Sequence, residues 1–169
     1  MSLPLPLASD IAFFFQSREL LIGRGLAVLA AWALLNLIGS GYLLRRADRR
    51  YAPYYFHGMN VGWGAINAAL ACWGILQLHF RVPAGLDVAE LFRTQLYYEN
   101  LFLFNTGLDV AYIMTGYYLR AQSASSVQWP QRLLGFGQSL WVQGGLLLVF
   151  DAVMWTVMHW QGKGLFFLF

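Results

Sequence analysis

Four long runs of apolar residues dominate the chain and are separated by shorter polar segments. They cover residues 19–44, 56–78, 96–119 and 136–160. A helix rises about 1.5 Å per residue and the hydrocarbon core of a bilayer is about 30 Å thick, so about 20 apolar residues suffice to cross it. The pattern therefore predicts four transmembrane helices.

The composition supports a membrane protein. Of the 169 residues, 59% are hydrophobic and only 11% are charged, which is too few to cover the surface of a soluble domain. We therefore predict an all-α fold, a polytopic four-transmembrane-helix bundle in which residues 1–169 form a single domain. The net charge is +3, but the basic residues are dispersed or lie at helix ends. We expect a lipid bilayer around the protein and no nucleic-acid partner.

The distribution of basic residues predicts the orientation. The connections after the first and third spans contain Arg45, Arg46, Arg49, Arg50, Arg120 and Arg132, whereas Arg18, Arg81, Arg93 and Lys163 lie on the other side. Cytoplasmic loops are enriched in basic residues, so both termini are predicted to lie outside. Residues 9–17 precede the first span and are predicted to form an interfacial helix that leads into it.

A short sequence match suggests an internal duplication. The first span ends Gly41-Tyr-Leu-Leu-Arg45, and the third ends Gly116-Tyr-Tyr-Leu-Arg120, 75 residues later. Each is followed by a loop and a second span, so a duplication would produce two parallel helix-pair repeats. Glycine, tyrosine and arginine are also ordinary residues at a cytoplasmic helix end. Both interpretations stay open at this point.

Polar residues recur at helical spacing inside the apolar spans. They are His57, Asn60, Gly64 and Asn67 in the second span, Asn105 and Asp109 in the third, and Gln143, Gly144 and Asp151 in the fourth. Residues three or four apart lie on one helix face. An ionisable group at the bilayer centre costs about 2.5–3.5 kcal/mol, so we expect these faces to meet inside the bundle.

The polar centre is the predicted binding site for a small ligand, ion or proton. Its candidate residues are Asp109, Asn105, Asn67, Asn60, Asp151 and Gln143. Asp109 is the key acid, because no cation lies at its depth in the membrane. Arg24 is predicted to form an ion pair with Asp151, with Glu99 as the rival partner. The alternative for the amides is packing, since they are common hydrogen-bonding groups between membrane helices.

Catalytic and cofactor motifs of soluble enzymes are not found in the sequence. It contains no Cys-x-x-Cys, no His-Glu-x-x-His, no phosphate-binding glycine loop and no nucleophile elbow. The single cysteine, Cys72, is predicted to be a buried apolar residue. His79 and His159 share a level, but at the interface, so a haem or pigment carrier is a weaker alternative. The expectation leans away from an enzyme, with no cofactor and no metal site.

Three strings carry a resemblance to a known family. They are His57-Gly-Met-Asn60 with Trp63 and Asn67, Asn105-Thr-Gly-Leu-Asp109-Val, and Gln143-Gly-Gly with Phe150-Asp151. They resemble an uncharacterised family of small bacterial membrane proteins with four helices, over the second to fourth spans. The resemblance implies a bacterial inner-membrane setting and no catalytic residues.

Two functions fit these observations. The first is a non-enzymatic membrane module with an intramembrane polar site. The second is an accessory or assembly subunit of a larger membrane complex, which the small size and the 17% aromatic residues would suit. Four helices enclose only a narrow lumen, so a pathway through the protein would require a dimer.

Overall fold

The chain folds into long helices. The computed structural model describes residues 5–80 and 88–166, with side chains described for residues 10–80 and 88–164. The described residues form α1 (Leu5–Leu35), a π-helical turn (Asn36–Ser40), α2 (Gly41–Arg46), α3 (Ala52–Phe80), α4 (Val88–Ser125) and α5 (Pro130–Phe166). Arg81, which contributed to the predicted orientation, lies outside the described residues.

Prolines and a short turn mark where two helices begin. Pro130 is the first residue of α5 and Pro53 is the second residue of α3. Proline suits a first helical turn because the N–H that it lacks has no partner there. Before α3, the backbone N–H of Arg50 donates a hydrogen bond of 2.9 Å to Oδ1 of Asp48, which closes the turn after α2.

Among the described residues, three helices are long and apolar enough to cross a membrane: Asp10–Arg46, Ala52–Phe80 and Pro130–Gly164. Each contains one of the predicted spans and extends beyond both of its ends. The predicted interfacial segment, residues 9–17, is part of one continuous helix with the first span. The fourth predicted span, 96–119, lies inside α4, which is long enough but is less apolar because it contains several tyrosines, Asn105 and Asp109.

The helices pack side by side in the order α1, α3, α5, α4. Helix α5 packs extensively on α4 and also on α3, whereas α3 packs on α1. Glycines allow close approach at these crossings. A Cβ on Gly64 of α3 would lie 3.1 Å from the backbone oxygen of Ala33, and one on Gly144 of α5 would lie 3.1 Å from the backbone oxygen of Asp109. Small residues at such contacts let helix backbones pack closely.

The bundle is apolar outside and polar inside. Large apolar side chains that are exposed include Leu35, Ile38, Trp73, Phe104 and Val149. Ten polar residues are buried instead: Arg18, Asn36, Ser40, Asn60, Asn67, Gln95, Asp109, Ser139, Gln143 and Asp151. Soluble domains show the reverse arrangement, and contiguous apolar surfaces of this extent are typical of contact with lipid or another protein. Cys72, predicted to be buried, is exposed, because its position on α3 faces away from the other helices.

Candidate functional site

Five polar side chains on α1, α3 and α5, with the π-helical turn, form one buried cluster. This amide cluster consists of Trp32, Asn36, Asn60, Ser139 and Gln143. Nε2 of Gln143 donates to Oδ1 of Asn36 at 2.7 Å and to Oδ1 of Asn60 at 2.9 Å. Nε1 of Trp32 donates to Oε1 of Gln143 at 2.8 Å, and Oγ of Ser139 donates to Oδ1 of Asn60 at 2.6 Å.

The hydrogen bonds of the amide cluster are satisfied within the protein. Gln143 is fully buried and uses both of its amide hydrogens and its carbonyl oxygen. Nδ2 of Asn36 is also occupied, since it donates to the backbone oxygen of Trp32 at 2.8 Å. A group whose donors and acceptors are all engaged has little left for a ligand. The geometry therefore assigns the amide cluster to helix–helix packing.

The sequence patterns identified two of these five residues, Asn60 and Gln143. Trp32, Asn36 and Ser139 were missed. Asn36 is an amide inside an otherwise apolar run, and Ser139 precedes Gln143 by one helical turn, so both carried a readable signal. Trp32 carried none, because indole rings are frequent throughout this chain.

The other four predicted residues line a separate cavity of about 560 Å³ between α1, α3, α4 and α5. We call it the acidic cavity, and its deeply buried polar residues are Asn67 on α3, Asn105 and Asp109 on α4, and Asp151 on α5. Asn67, Asp109 and Asp151 are 2%, 3% and 5% exposed, respectively. Asn60 and Gln143 do not line it.

Two carboxyl groups face each other in the acidic cavity. Asp109 and Asp151 lie close enough to interact directly, and the side chain of Asn105 is within hydrogen-bonding reach of Asp151. The expectation that Asp109 hydrogen-bonds to Asn67 or Asn105 is not met, since its neighbour is the second acid. A carboxylate is only an acceptor, so two ionised carboxylates in contact have no donor between them. One proton shared by the pair would supply that donor.

Two buried polar atoms at the cavity lack partners. Within the described part of the chain, Oδ2 of Asp109 and Nδ2 of Asn67 have no hydrogen-bond partner. A buried acceptor and a buried donor left unpaired each cost free energy, and such pairs often mark a place where a ligand or water binds. The acidic cavity therefore offers one free acceptor and one free donor to an occupant.

The walls of the acidic cavity are aromatic and aliphatic and carry no positive charge. Among the described residues that line it, none is lysine, arginine or histidine. The remaining titratable lining residues are the phenols of Tyr97, Tyr98 and Tyr112 on α4, because α1 and α3 contribute no titratable side chain to the described lining. The negative charge of the aspartate pair is thus without a cation inside the cavity.

The predicted ion pair of Arg24 is not formed. Among the described residues, Arg24 makes no salt bridge with Asp151 or Glu99. Oε2 of Glu99 instead lies 3.0 Å from Nδ1 of His159. Gln95 donates from Nε2 to Oε1 of Glu99 at 3.0 Å, which orients this carboxylate toward α5. Helix packing places Glu99 beside α5 rather than α1, which the sequence spacing could not indicate.

The comparisons with known proteins are sparse. A model described as a family of unknown function (DUF6992) matches residues 28–152. No curated protein and no solved structure matches the chain. The matched segment contains all residues of the amide cluster and the four deeply buried polar residues of the acidic cavity.

Proposed function

We propose, from the premise that the chain belongs to the family of unknown function DUF6992, that it is a non-enzymatic membrane module whose acidic cavity binds a small ligand, an ion or a proton. The observation that carries this proposal is the pair of facing carboxyl groups, Asp109 and Asp151, in a cavity without a basic residue among its described lining. Buried acids without a cation are costly in a membrane, and their usual purpose is binding or proton exchange.

The proposal includes four membrane spans. The three apolar helices support it directly, and α4 is the fourth because its polar residues face inward. Asp109 is buried against α5, whereas the exposed side of α4 carries Leu103, Phe104, Val110 and Met114. A lipid-facing surface of this kind removes the main objection to a span that contains an acid. The distribution of arginines supports a bacterial inner membrane with both termini outside.

We further propose that the pairs α1–α3 and α4–α5 are parallel repeats. The glycine contacts relate Ala33 to Asp109, which lie 76 residues apart, whereas the matching helix ends relate Gly41 to Gly116, which lie 75 apart. The π-helical turn Asn36–Ser40 lies between Ala33 and Gly41. A π turn closes i to i+5 and so holds one more residue than an α turn, which accounts for the difference.

Both acids of the cavity correspond to alanines in the first repeat. The 76-residue shift relates Asp109 to Ala33, and the 80-residue shift between the two close-packed glycines relates Asp151 to Ala71. Ala33 and Ala71 are almost completely buried, so the same two positions face inward in both halves. This correspondence supports a binding site that is built in the second repeat only.

The test compares the wild-type protein with Asp109→Asn across pH 5 to 8, with the full chain purified in mild detergent. Unfolding exposes both aspartates to water, where they ionise below this range. The folded pair keeps one proton, so the folded state binds more protons and the unfolding temperature of the wild type should fall as the pH rises. The asparagine variant has no second charge to repel and should show a smaller fall.

Two controls isolate the carboxyl pair. The ion pair of Glu99 with His159 also titrates in this range, but it is present in both proteins and cancels in their difference. Thr115→Val changes an exposed side chain on α4 that bonds only to its own helix, and its pH profile should match the wild type. Parallel profiles for the wild type and Asp109→Asn would refute the titratable site.

A further inference from the structure

We propose that the natural occupant of the acidic cavity is a lipid-soluble organic cation, which enters from the bilayer between α3 and α4 and displaces the shared proton. This inference rests on the proposed function, since it names the ligand class of the same site. It is argued from the charge of the lining, its aromatic content, the position of its opening and the two polar atoms without partners.

The charge balance of the cavity selects a cation. Asp109 and Asp151 carry one negative charge when they share a proton, and no described lining residue neutralises it. A monovalent cation that displaces the proton leaves two carboxylates and one positive charge, so the net charge of the site stays at minus one. Opposite charges interact strongly away from water, which favours this exchange over binding of a neutral or anionic molecule.

The aromatic lining favours an organic cation over a metal ion. Seven aromatic residues line the cavity: Trp63, Trp73, Tyr97, Tyr98, Phe102, Tyr112 and Phe150. Aromatic faces attract ammonium-type cations. Hard metal ions instead take six or more oxygen ligands, whereas this cavity has four deeply buried polar side chains among apolar walls. A bulky cation would fill the apolar volume that a bare ion would leave empty.

The opening of the cavity lies on the side of the bundle. Helices α3 and α4 are not neighbours in the packing order, and the lining residues that face outward between them are exposed. These are Ile66, Leu70 and Trp73 on α3, with Tyr97 and Leu108 on α4. Toward the start of α3, the rings of Trp63 and Tyr112 meet edge to face with centroids 5.0 Å apart. An entrance in this position faces lipid in the proposed topology.

The dimensions and the free polar atoms suit a small amphiphile. The cavity volume of about 560 Å³ lies within the range of about 300–1,000 Å³ that is usual for small-molecule sites. Oδ2 of Asp109 can accept a hydrogen bond from a protonated amine, and Nδ2 of Asn67 can donate to a neighbouring oxygen. The deep end thus recognises a polar, positively charged head, while the walls contact an apolar body.

The experiment measures binding of tetraphenylphosphonium to the full chain by titration calorimetry in mild detergent, in two buffers of different ionisation enthalpy. Tetraphenylborate, of matched size and opposite charge, is the control ligand. We expect the phosphonium ion to bind with release of one proton and the borate to bind at least about tenfold more weakly. Asp109→Asn and Asp151→Asn should each weaken phosphonium binding by at least about tenfold, whereas Thr115→Val should leave it unchanged.

Each contrary result is distinct. Equal binding of the two ions by the wild-type protein would overturn the inference, because it would show apolar adsorption without charge selection; this comparison needs no variant to fold. Phosphonium binding without proton release would also overturn it. No phosphonium binding, together with the pH-dependent difference between wild type and Asp109→Asn, would overturn the cation and leave the proposed function standing.

Discussion

Alanine in place of Gly137 measures how closely α4 and α5 pack. A Cβ at this position of α5 would lie 2.7 Å from the backbone oxygen of Gly116 and 2.8 Å from Cγ of Arg120, both on α4. Packed heavy atoms approach each other to about 3.5 Å, so the helices would have to separate by roughly 0.8 Å. The backbone oxygen cannot move aside alone, because it belongs to the hydrogen-bonded ladder of α4.

The expected magnitude follows from a matched variant. Gly145→Ala lies on the same helix, but a Cβ there has no atom within 4 Å. Both variants gain about 1 kcal/mol of helix propensity over glycine. Only Gly137→Ala introduces the overlap with α4, and overpacking of this kind costs about 1–3 kcal/mol. The free energies of unfolding of the two variants should therefore differ by about 1–3 kcal/mol, with Gly137→Ala the less stable.

The assay is reversible unfolding in mixed micelles of increasing sodium dodecyl sulfate content, followed by circular dichroism. The wild-type protein should fall between the two variants or close to Gly137→Ala. If Gly137→Ala were as stable as Gly145→Ala, the close approach of the α4 and α5 backbones would be refuted, and with it the packing that brings the two aspartates together.

Two further predictions use the same assay. Gln143→Leu removes the hydrogen bonds of the amide cluster, including the one from Trp32, and should lower the free energy of unfolding by about 2 kcal/mol, at about 0.6 kcal/mol for each of three bonds. Thr156→Val, on the exposed face of α5, should leave it unchanged; equal stability of these two variants would contradict the role of the cluster. Glu99→Gln removes the ion pair with the partly exposed His159 and should cost less than about 1 kcal/mol. That cost should diminish at high salt, and a cost that is independent of salt would argue against an ionic contribution.

The sequence alone was sufficient for the helices and for which of their residues face inward. Helix formation depends on residues close in the chain, so runs of apolar residues locate α1, α3 and α5 within a few residues of their ends. Periodicity is equally local, and it correctly placed Asn67, Asn105, Asp109 and Asp151 on inward faces. For the same reason the residues matched by the family model are those that the polar pattern identifies.

Only the tertiary structure decided which inward-facing residues meet. Counting residues from the predicted helix ends paired Asp151 with Arg24 and left Asp109 alone, whereas packing brings the two aspartates together. The π-helical turn adds one residue to the first helix, and the glycine contacts determine how close each pair of helices lies. Partners across a bundle depend on the depth, rotation and separation of whole helices, which are properties of several segments at once. No local pattern contains them, and this is why the acidic cavity emerged only from the packed bundle.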